Sequence, residues 1–318
     1  MKDTQQNILK VLAYFDIFHY PLVADEIRSF LPVIIDDISL EEALTNLLAE
    51  NQVFKFDDFY SLKDNQSLIE RRCKGNSLAK AKMDTAFRAA SILSHFPYVR
   101  ALAISGSLSK NFADEKTDID FFIIAAANRL WIARTIMHLF KKFSFLVGRQ
   151  DWFCMNYYID EAMMEIPEKN VFTAMEIVTL IPMYGDKTLL HFFSNNQWIK
   201  NYFPAKEIIL NDIVKTKKGL FKKGVEKIFN NNIGNAIDNY LMKLTDKRWQ
   251  KKTEEKRVNE KGICMGMKAG KHFSKPDPKN FQDKVIQQYQ HKLKQEKTAV
   301  EKVTSETTYV FIPVSVMK

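Results

Sequence analysis

Apolar positions change their period along the chain, and each change marks an element boundary. Ile8, Val11, Leu12 and Phe15 recur at i, i+3, i+4 and i+7, which predicts one buried helical face. Pro21 opens a second predicted helix that runs through Ile27 and Phe30. Leu40, Ala43, Leu44, Leu47 and Leu48 form the clearest stripe in the sequence, with Ser39 as its expected N-cap. VFKFDDFYSL then places two short β-prone runs around Asp57-Asp58, a hairpin signal. Helices followed by a hairpin is the order of a winged helix, so residues 1–62 are expected to form a winged-helix-like unit.

A helix over LAKAKMDTAFRAASILSHF follows, with Met83, Phe87 and Ala90 on one face. The period then shortens. VRALAISGS is a strand-like run that ends in a Gly-Ser turn, and DIDFFIIAA is a second run. LWIARTIMHLFKKF has Ile132, Ile136, Leu139, Phe140 and Phe143 at helical spacing and predicts a helix crossing a sheet. DWFCMNYYI supplies a third strand, so 63–165 reads as an α/β core with a leading helix. Beyond Asn170 the pattern is helical. Ala174, Ile177, Val178 and Ile181 share a face that Pro182 ends, and LLHFFSNNQWIKNYF adds an amphipathic piece whose aromatics read as core. Ile237, Leu241 and Leu244 mark one later helix and FQDKVIQQYQHKLKQ another. Between them DKRWQKKTEEKRVNEKG is either a solvated helix or a loop. Residues 166–298 are therefore expected to be a mostly helical C-terminal domain, and 299–318 a tail with the β-prone run TYVFIPVSV. The predicted fold class is α+β, without internal repeats.

A length of 318 residues is long for one core, which agrees with several packed units. The three cysteines, Cys73, Cys154 and Cys264, stand far apart and in no CxxC spacing. That pattern gives neither a disulfide framework nor a cysteine zinc site, and a reducing, cytoplasmic setting is expected. The start of the chain does not read as a signal peptide, and no apolar run reaches membrane-spanning length, so no membrane partner is expected. Charge is unevenly spread. Residues 201–300 hold 23 Lys and Arg against 11 Asp and Glu, whereas residues 1–62 hold 4 against 11. An N-terminal unit at −7 repels phosphate, and its third helix presents Glu41, Glu42 and Glu50, so duplex DNA is not an expected partner. Lys215, Lys217, Lys218, Lys222 and Lys223 surround Phe221, either as a polyanion-guiding patch or as a solvated helix face.

Candidate chemistry concentrates in GSLSKNFADEKTDID, residues 106–120. Asp118 and Asp120 lie two apart in a strand pattern, which points both carboxylates to one face. Like charges that close repel unless a cation lies between them. Hard oxygen ligands on one face suit Mg²⁺, which takes one or two carboxylates plus substrate phosphates. Gly106 and Ser107 end the preceding strand, and a turn leading into a helix there offers backbone N–H groups to phosphate.

An apolar strand, Gly-Ser, ten intervening residues and then Asp-apolar-Asp resembles the signature of the polymerase β-type nucleotidyltransferase superfamily. The resemblance covers about twenty residues. It implies that Gly106, Ser107, Ser109 and Lys110 contact a nucleoside triphosphate and that Asp118 and Asp120 hold Mg²⁺. It also implies transfer of a nucleoside monophosphate to an acceptor the sequence does not name. YFDIFHYPL, FCMNYYI and NNQWIKNYFP extend the resemblance to uncharacterised bacterial proteins with an N-terminal winged-helix-like region. Members of the superfamily bring a third carboxylate from a later strand, where this chain has Asn156. Asn156 is a candidate catalytic position, and equally a buried amide satisfied by backbone. Asp151, Asp160 and Glu176 are the acids able to replace it, while Cys154 reads as core. The alternative reading is a nucleotide-binding sensor or scaffold that has lost turnover.

Overall fold

The structure, a computed structural model, describes residues 2–144, 146, 148, 152–208, 210, 214, 219–258, 266–276 and 281–307. It is mixed α and β and divides into two compact units, Met1–Ile69 with the chain from Gln282 onward, and Glu70–Phe281. Among the described residues no helix is long and apolar enough to cross a membrane.

The first unit contains α1 (Lys2–Asp16), β1 (Leu22–Val23), α2 (Ala24–Ser29), α3 (Asp37–Ala49), β2 (Phe54–Phe56) and β3 (Phe59–Ser61). Its sheet has the order β1-β3-β2, and Phe56 faces Phe59 across a turn in which Asp57 takes φ 53°. Pro21 does not open α2. It leads into β1, and α2 begins at Ala24. The cap of α3 is also moved: Asp36, not Ser39, is the N-cap, and its carboxylate accepts the Ser39 N–H at 2.8 Å. That bond holds the Asp36 carboxyl below its usual range, as expected of an acid at a helix N-terminus.

The C-terminal helix α10 (Phe281–Thr307) belongs to this unit rather than to a C-terminal domain. Val285, Tyr289 and Lys292 share one of its faces. Val285 is buried, Tyr289 stacks edge-on with Tyr14 at 5.6 Å, and Lys292 pairs with buried Asp16. The second partner of Asp16 is Lys63 at 3.1 Å. The tail run TYVFIPVSV lies outside the described residues.

The second unit is built on α4 (Ser67–Ser94) and a six-stranded sheet of order β7-β4-β5-β6-β9-β8. β4 (Val99–Ile104) and β5 (Asp120–Ala125) are antiparallel, and β5 runs parallel to β6 (Cys154–Asp160) after the crossover helix α5 (Leu130–Ser144). These are the expected elements. The sheet's other strands come from the region expected to be mostly helical. β7 (Ile181–Tyr184) pairs with β4, and the hairpin β8 (Met267–Gly270) and β9 (Phe273–Pro276) pairs through β9 with β6. Pro182, expected to end a helix, lies inside β7, at the sheet edge where a missing N–H is tolerated. α6 (Val171–Val178), α7 (Asp186–Asn195), α8 (Leu220–Phe229) and α9 (Asn232–Glu254) complete the unit.

The face α5 buries keeps Ile132, Ile136 and Phe140 of the expected stripe and differs at its other positions. Trp131, Arg134 and Met137 go inward, while Leu139 and Phe143 are exposed. Arg134 donates to Ser274 Oγ at 3.0 Å, and Trp131 Nε1 to the Gly270 carbonyl at 3.0 Å, so α5 grips the β8–β9 hairpin. α9 in turn caps α5: Asp238 Oδ1 accepts the Ile132 N–H at 2.8 Å. Arg129, just ahead of α5, donates to the carbonyls of Phe229 and Asn231 and so fastens the turn between α8 and α9.

Burial raises the Asp238 carboxyl to about 6, against the lowering effect of the α5 amides. A folded pKa above the unfolded 3.8 means that the folded state holds the proton more tightly. Stability supplied by the protonated form is present at low pH and is lost as pH rises from about 4 to about 6. Asp238→Asn keeps the acceptor oxygen and removes the titration. Urea melts from pH 4 to 7 should show the wild type losing about 1–2 kcal/mol more than the variant across that window. Parallel pH profiles would contradict this account of the cap.

Candidate functional site

β4 carries its ladder one residue past its end, since the Ser105 N–H donates to the Asp120 carbonyl at 2.9 Å. The chain then turns at Gly106 with φ 69°, a conformation that favours glycine. A Cβ at Gly106 would lie 2.6 Å from Asp120 Oδ2, so the Asp120 carboxylate rests on the bare glycine backbone. Ser107 is exposed beside it. The turn does not lead into an α-helix as expected. It leads into a 3₁₀ turn, Leu108–Lys110, which Asn111 ends in the left-handed region.

Residues 106–118 are tied to α4 at two places. The Phe112 ring fills the space a Cβ on Gly75 would need, with the Arg71 guanidinium 4.3 Å from the ring centre, and the Ala113 N–H donates to the Gly75 carbonyl at 3.1 Å. Lys82 Nζ donates to the Thr117 carbonyl at 2.6 Å, one residue before Asp118. A turn through Asp114 and Thr117, joined side chain to side chain at 2.7 Å, shapes the segment between. The loop thus delivers Asp118 to the sheet from a fixed direction.

Asp118 precedes β5 rather than lying in it, because the strand begins at Asp120. The two carboxylates are nonetheless close enough to interact. Burial pushes the Asp120 carboxyl up, and the charges of Asp118 and Glu176 push it further, against a hydrogen bond from Cys154 and the charge of Lys141. Glu176, on α6, pairs with Lys110 at 2.8 Å, and the same ammonium donates to the Gly106 carbonyl at 3.2 Å. Ser109 Oγ donates to that carbonyl too, at 2.9 Å. The structure therefore gathers Gly106, Ser107, Ser109, Lys110, Asp118, Asp120 and Glu176.

Asn156 is not the residue that pairs with Asp120. The β5–β6 register sets Cys154, not Asn156, beside Asp120, and it shifts between the Met155 and Tyr157 pairings, which leaves Asn156 in a β-bulge. Its side chain and the whole of Asp151 lie outside the described residues. Asp160 is not brought to the site. It ends β6 about 20 Å from Cys154, buried and bonded to the Asn128 and Ala162 amides and to His272. Cys154 is core in character, with burial and the charge of Asp120 holding its thiol well above the usual range. Lys141 went unnoticed in the sequence because it sits within an apolar helix pattern, and its charge reaches both Asp120 and Cys154.

Among the described residues, no group of three or more His, Cys, Asp or Glu side chains is arranged to hold a metal ion. The pair Asp118 and Asp120 offers hard oxygen donors whose mutual repulsion a cation relieves, and Mg²⁺ needs no more than two protein carboxylates when phosphates supply the rest. That donor set fits Mg²⁺ bound together with a phosphate ligand.

Lys222 is removed from the candidate polyanion patch. It is 1 % exposed, and its ammonium donates to the carbonyls of Ser94 at 2.9 Å and Val99 at 2.7 Å. Lys223 is exposed, whereas Lys215, Lys217 and Lys218 lie outside the described residues.

Gly106→Ala should move Asp120 or strain the turn, at a cost of about 1–3 kcal/mol. Gly148 is the control, since its φ is 63° and no atom of the described residues lies within 4 Å of a Cβ built there. Chemical denaturation should find the Gly106 change clearly costlier than Gly148→Ala, and equal costs would remove the close contact from the account.

Comparison of the chain with protein-family models, with curated proteins and with solved structures finds no match.

Proposed function

We propose that the chain is a nucleotidyltransferase of polymerase β-type architecture, with Mg²⁺ and a nucleoside triphosphate bound at the Gly106–Asp120 segment. One observation carries this reading: the Asp120 carboxylate rests against a Gly-Ser turn, with Asp118 close enough to raise its proton affinity. The antiparallel β4–β5 pair and the parallel β5–α5–β6 crossover support it as a core, and three helices with a hairpin support a winged-helix-like N-terminal unit. The setting proposed is the reducing cytoplasm, and duplex DNA is no partner of that acidic unit.

Mg²⁺ would supply charge neutralisation for the attacking and leaving oxygens. Asp118 and Asp120 would hold it. Ser107 and Ser109 would orient the triphosphate, and Lys110 would exchange Glu176 for a phosphate oxygen. An acceptor oxygen, a hydroxyl giving its proton to water, forms a bond to the α-phosphorus, the bond from that phosphorus to the bridging oxygen breaks, and pyrophosphate leaves with the electron pair. Positioning and charge neutralisation make up most of such catalysis, so the site needs few other groups. The second reading is a nucleotide-binding sensor, which the neutral Cys154 beside Asp120 favours.

Calorimetric titration with ATP and GTP should show binding that requires Mg²⁺, and pyrophosphate release with a panel of acceptors separates enzyme from sensor. Glu176→Gln removes the negative charge paired with Lys110 and should tighten triphosphate binding about two- to fivefold, an effect absent in a Lys110→Gln background. Absence of Mg²⁺-dependent binding of any nucleoside triphosphate would overturn the proposal.

A further inference from the structure

α8 mixes charged and apolar side chains on both of its faces. Its inward positions are Lys222, Val225, Glu226 and Phe229, at i, i+3, i+4 and i+7. Lys222 donates to the Ser94 and Val99 carbonyls, and Glu226 accepts from the Tyr98 N–H at 2.8 Å and from Arg100 at 2.7 Å. Val225 and Phe229 pack against the core beneath the sheet. These anchors fix which side of the helix faces out.

The outward side carries Leu220 at 88 %, Phe221 at 60 % and Ile228 at 63 % exposure. Lys223, Gly224 and Lys227 are the other exposed positions. No acidic group stands among them. Burying Lys222 and most of Glu226 while exposing three large apolar side chains is costly in water, and a set of this kind marks an interaction surface.

We propose that the outward face of α8 docks the protein on an anionic lipid surface. Phe221, Leu220 and Ile228 enter the boundary between headgroups and acyl chains. Lys223 and Lys227 lay their stems along it and hold their ammonium groups at headgroup phosphates. Charge complementarity selects this occupant. The face is purely cationic, and residues 201–300 carry 23 basic against 11 acidic side chains, which steers the region toward negative surfaces. A protein partner calls for a rim of directional hydrogen-bonding groups, and this face offers only lysine ammoniums. A nucleic acid gains nothing from Leu220 and Ile228, since base stacking needs aromatic rings. Lying on a membrane in this way requires no helix long enough to cross one.

The test is co-sedimentation of the full chain with vesicles of phosphatidylcholine alone and of phosphatidylcholine with about one-third phosphatidylglycerol. The wild type should bind the anionic vesicles at about 150 mM salt and not the neutral ones, and should come off as salt rises. Phe221→Ser with Ile228→Ser should cut binding at least about tenfold, and Lys223→Gln with Lys227→Gln about fivefold for each lysine removed. All four positions are exposed, so thermal melts of the variants should match the wild type, and a variant that melts early is replaced by its single-site change. Three results would overturn the proposal: no vesicle binding by the wild type, binding equal to both vesicle types, or a wild-type dimer in light scattering that Phe221→Ser with Ile228→Ser dissolves. The last would make the face a contact between copies of this chain.

Discussion

Asp120 lies with its carboxylate against the Cα of Gly106, and the geometry of the whole candidate site follows from that contact. Only a residue without Cβ allows the approach, and only a positive φ at that residue turns the chain away from β4 directly beside the carboxylate. The result is a half-buried acid facing a turn that carries Ser107 and Ser109, with Lys110 donating to the glycine's own carbonyl. Asp118 and Glu176 then add negative charge to a carboxylate already short of water. Such an arrangement is unfavourable in isolation, and the proposed cation would relieve it.

The rest of the second unit keeps that arrangement in place. α4 holds the loop at Gly75 and Lys82 on the way to Asp118, while the sheet holds Asp120 between Ser105 and Cys154. Farther out, the polar groups that fix the elements are themselves buried: Arg129 at the α8–α9 turn, Asp238 at the start of α5, Lys222 under α8, Asp160 beneath the β8–β9 hairpin. Each satisfies backbone groups that a loop or helix end leaves exposed to the interior. The site is therefore assembled by directional bonds at the edges of an apolar core.

Much of this was legible in the sequence where local pattern and tertiary role agree. The β4 and β5 runs, the α5 crossover and the Gly-Ser to Asp-Ile-Asp spacing were readable because apolar periodicity and turn residues point the same way. β7, β8 and β9 were not. Ile-Pro-Met-Tyr and Met-Lys-Ala-Gly have no strand signature of their own, and they become strands because the edges of β4 and β6 need partners. That Cys154 rather than Asn156 pairs with Asp120 was not legible, because sequence spacing does not reveal a bulge. Lys222 looked like its lysine neighbours, and only the two carbonyls at the end of α4 and in β4 distinguish it. Ser39 and Asp36 were both good caps by type, and the backbone decided between them.

The central claim is that Asp118 and Asp120 form a pair held apart in energy until a cation joins them. Thermal melts of the wild type and of the double variant Asp118→Asn with Asp120→Asn, each with and without Mg²⁺ and ATP or GTP, test it directly. The account predicts that the wild type gains about 2.7 kcal/mol when ligand is about a hundredfold over its dissociation constant. It also predicts that the variant gains nothing, and that without ligand the variant is as stable as the wild type or more so. A variant that is weaker without ligand, together with a wild type indifferent to Mg²⁺ and nucleotide, would show a structural pair and contradict the account.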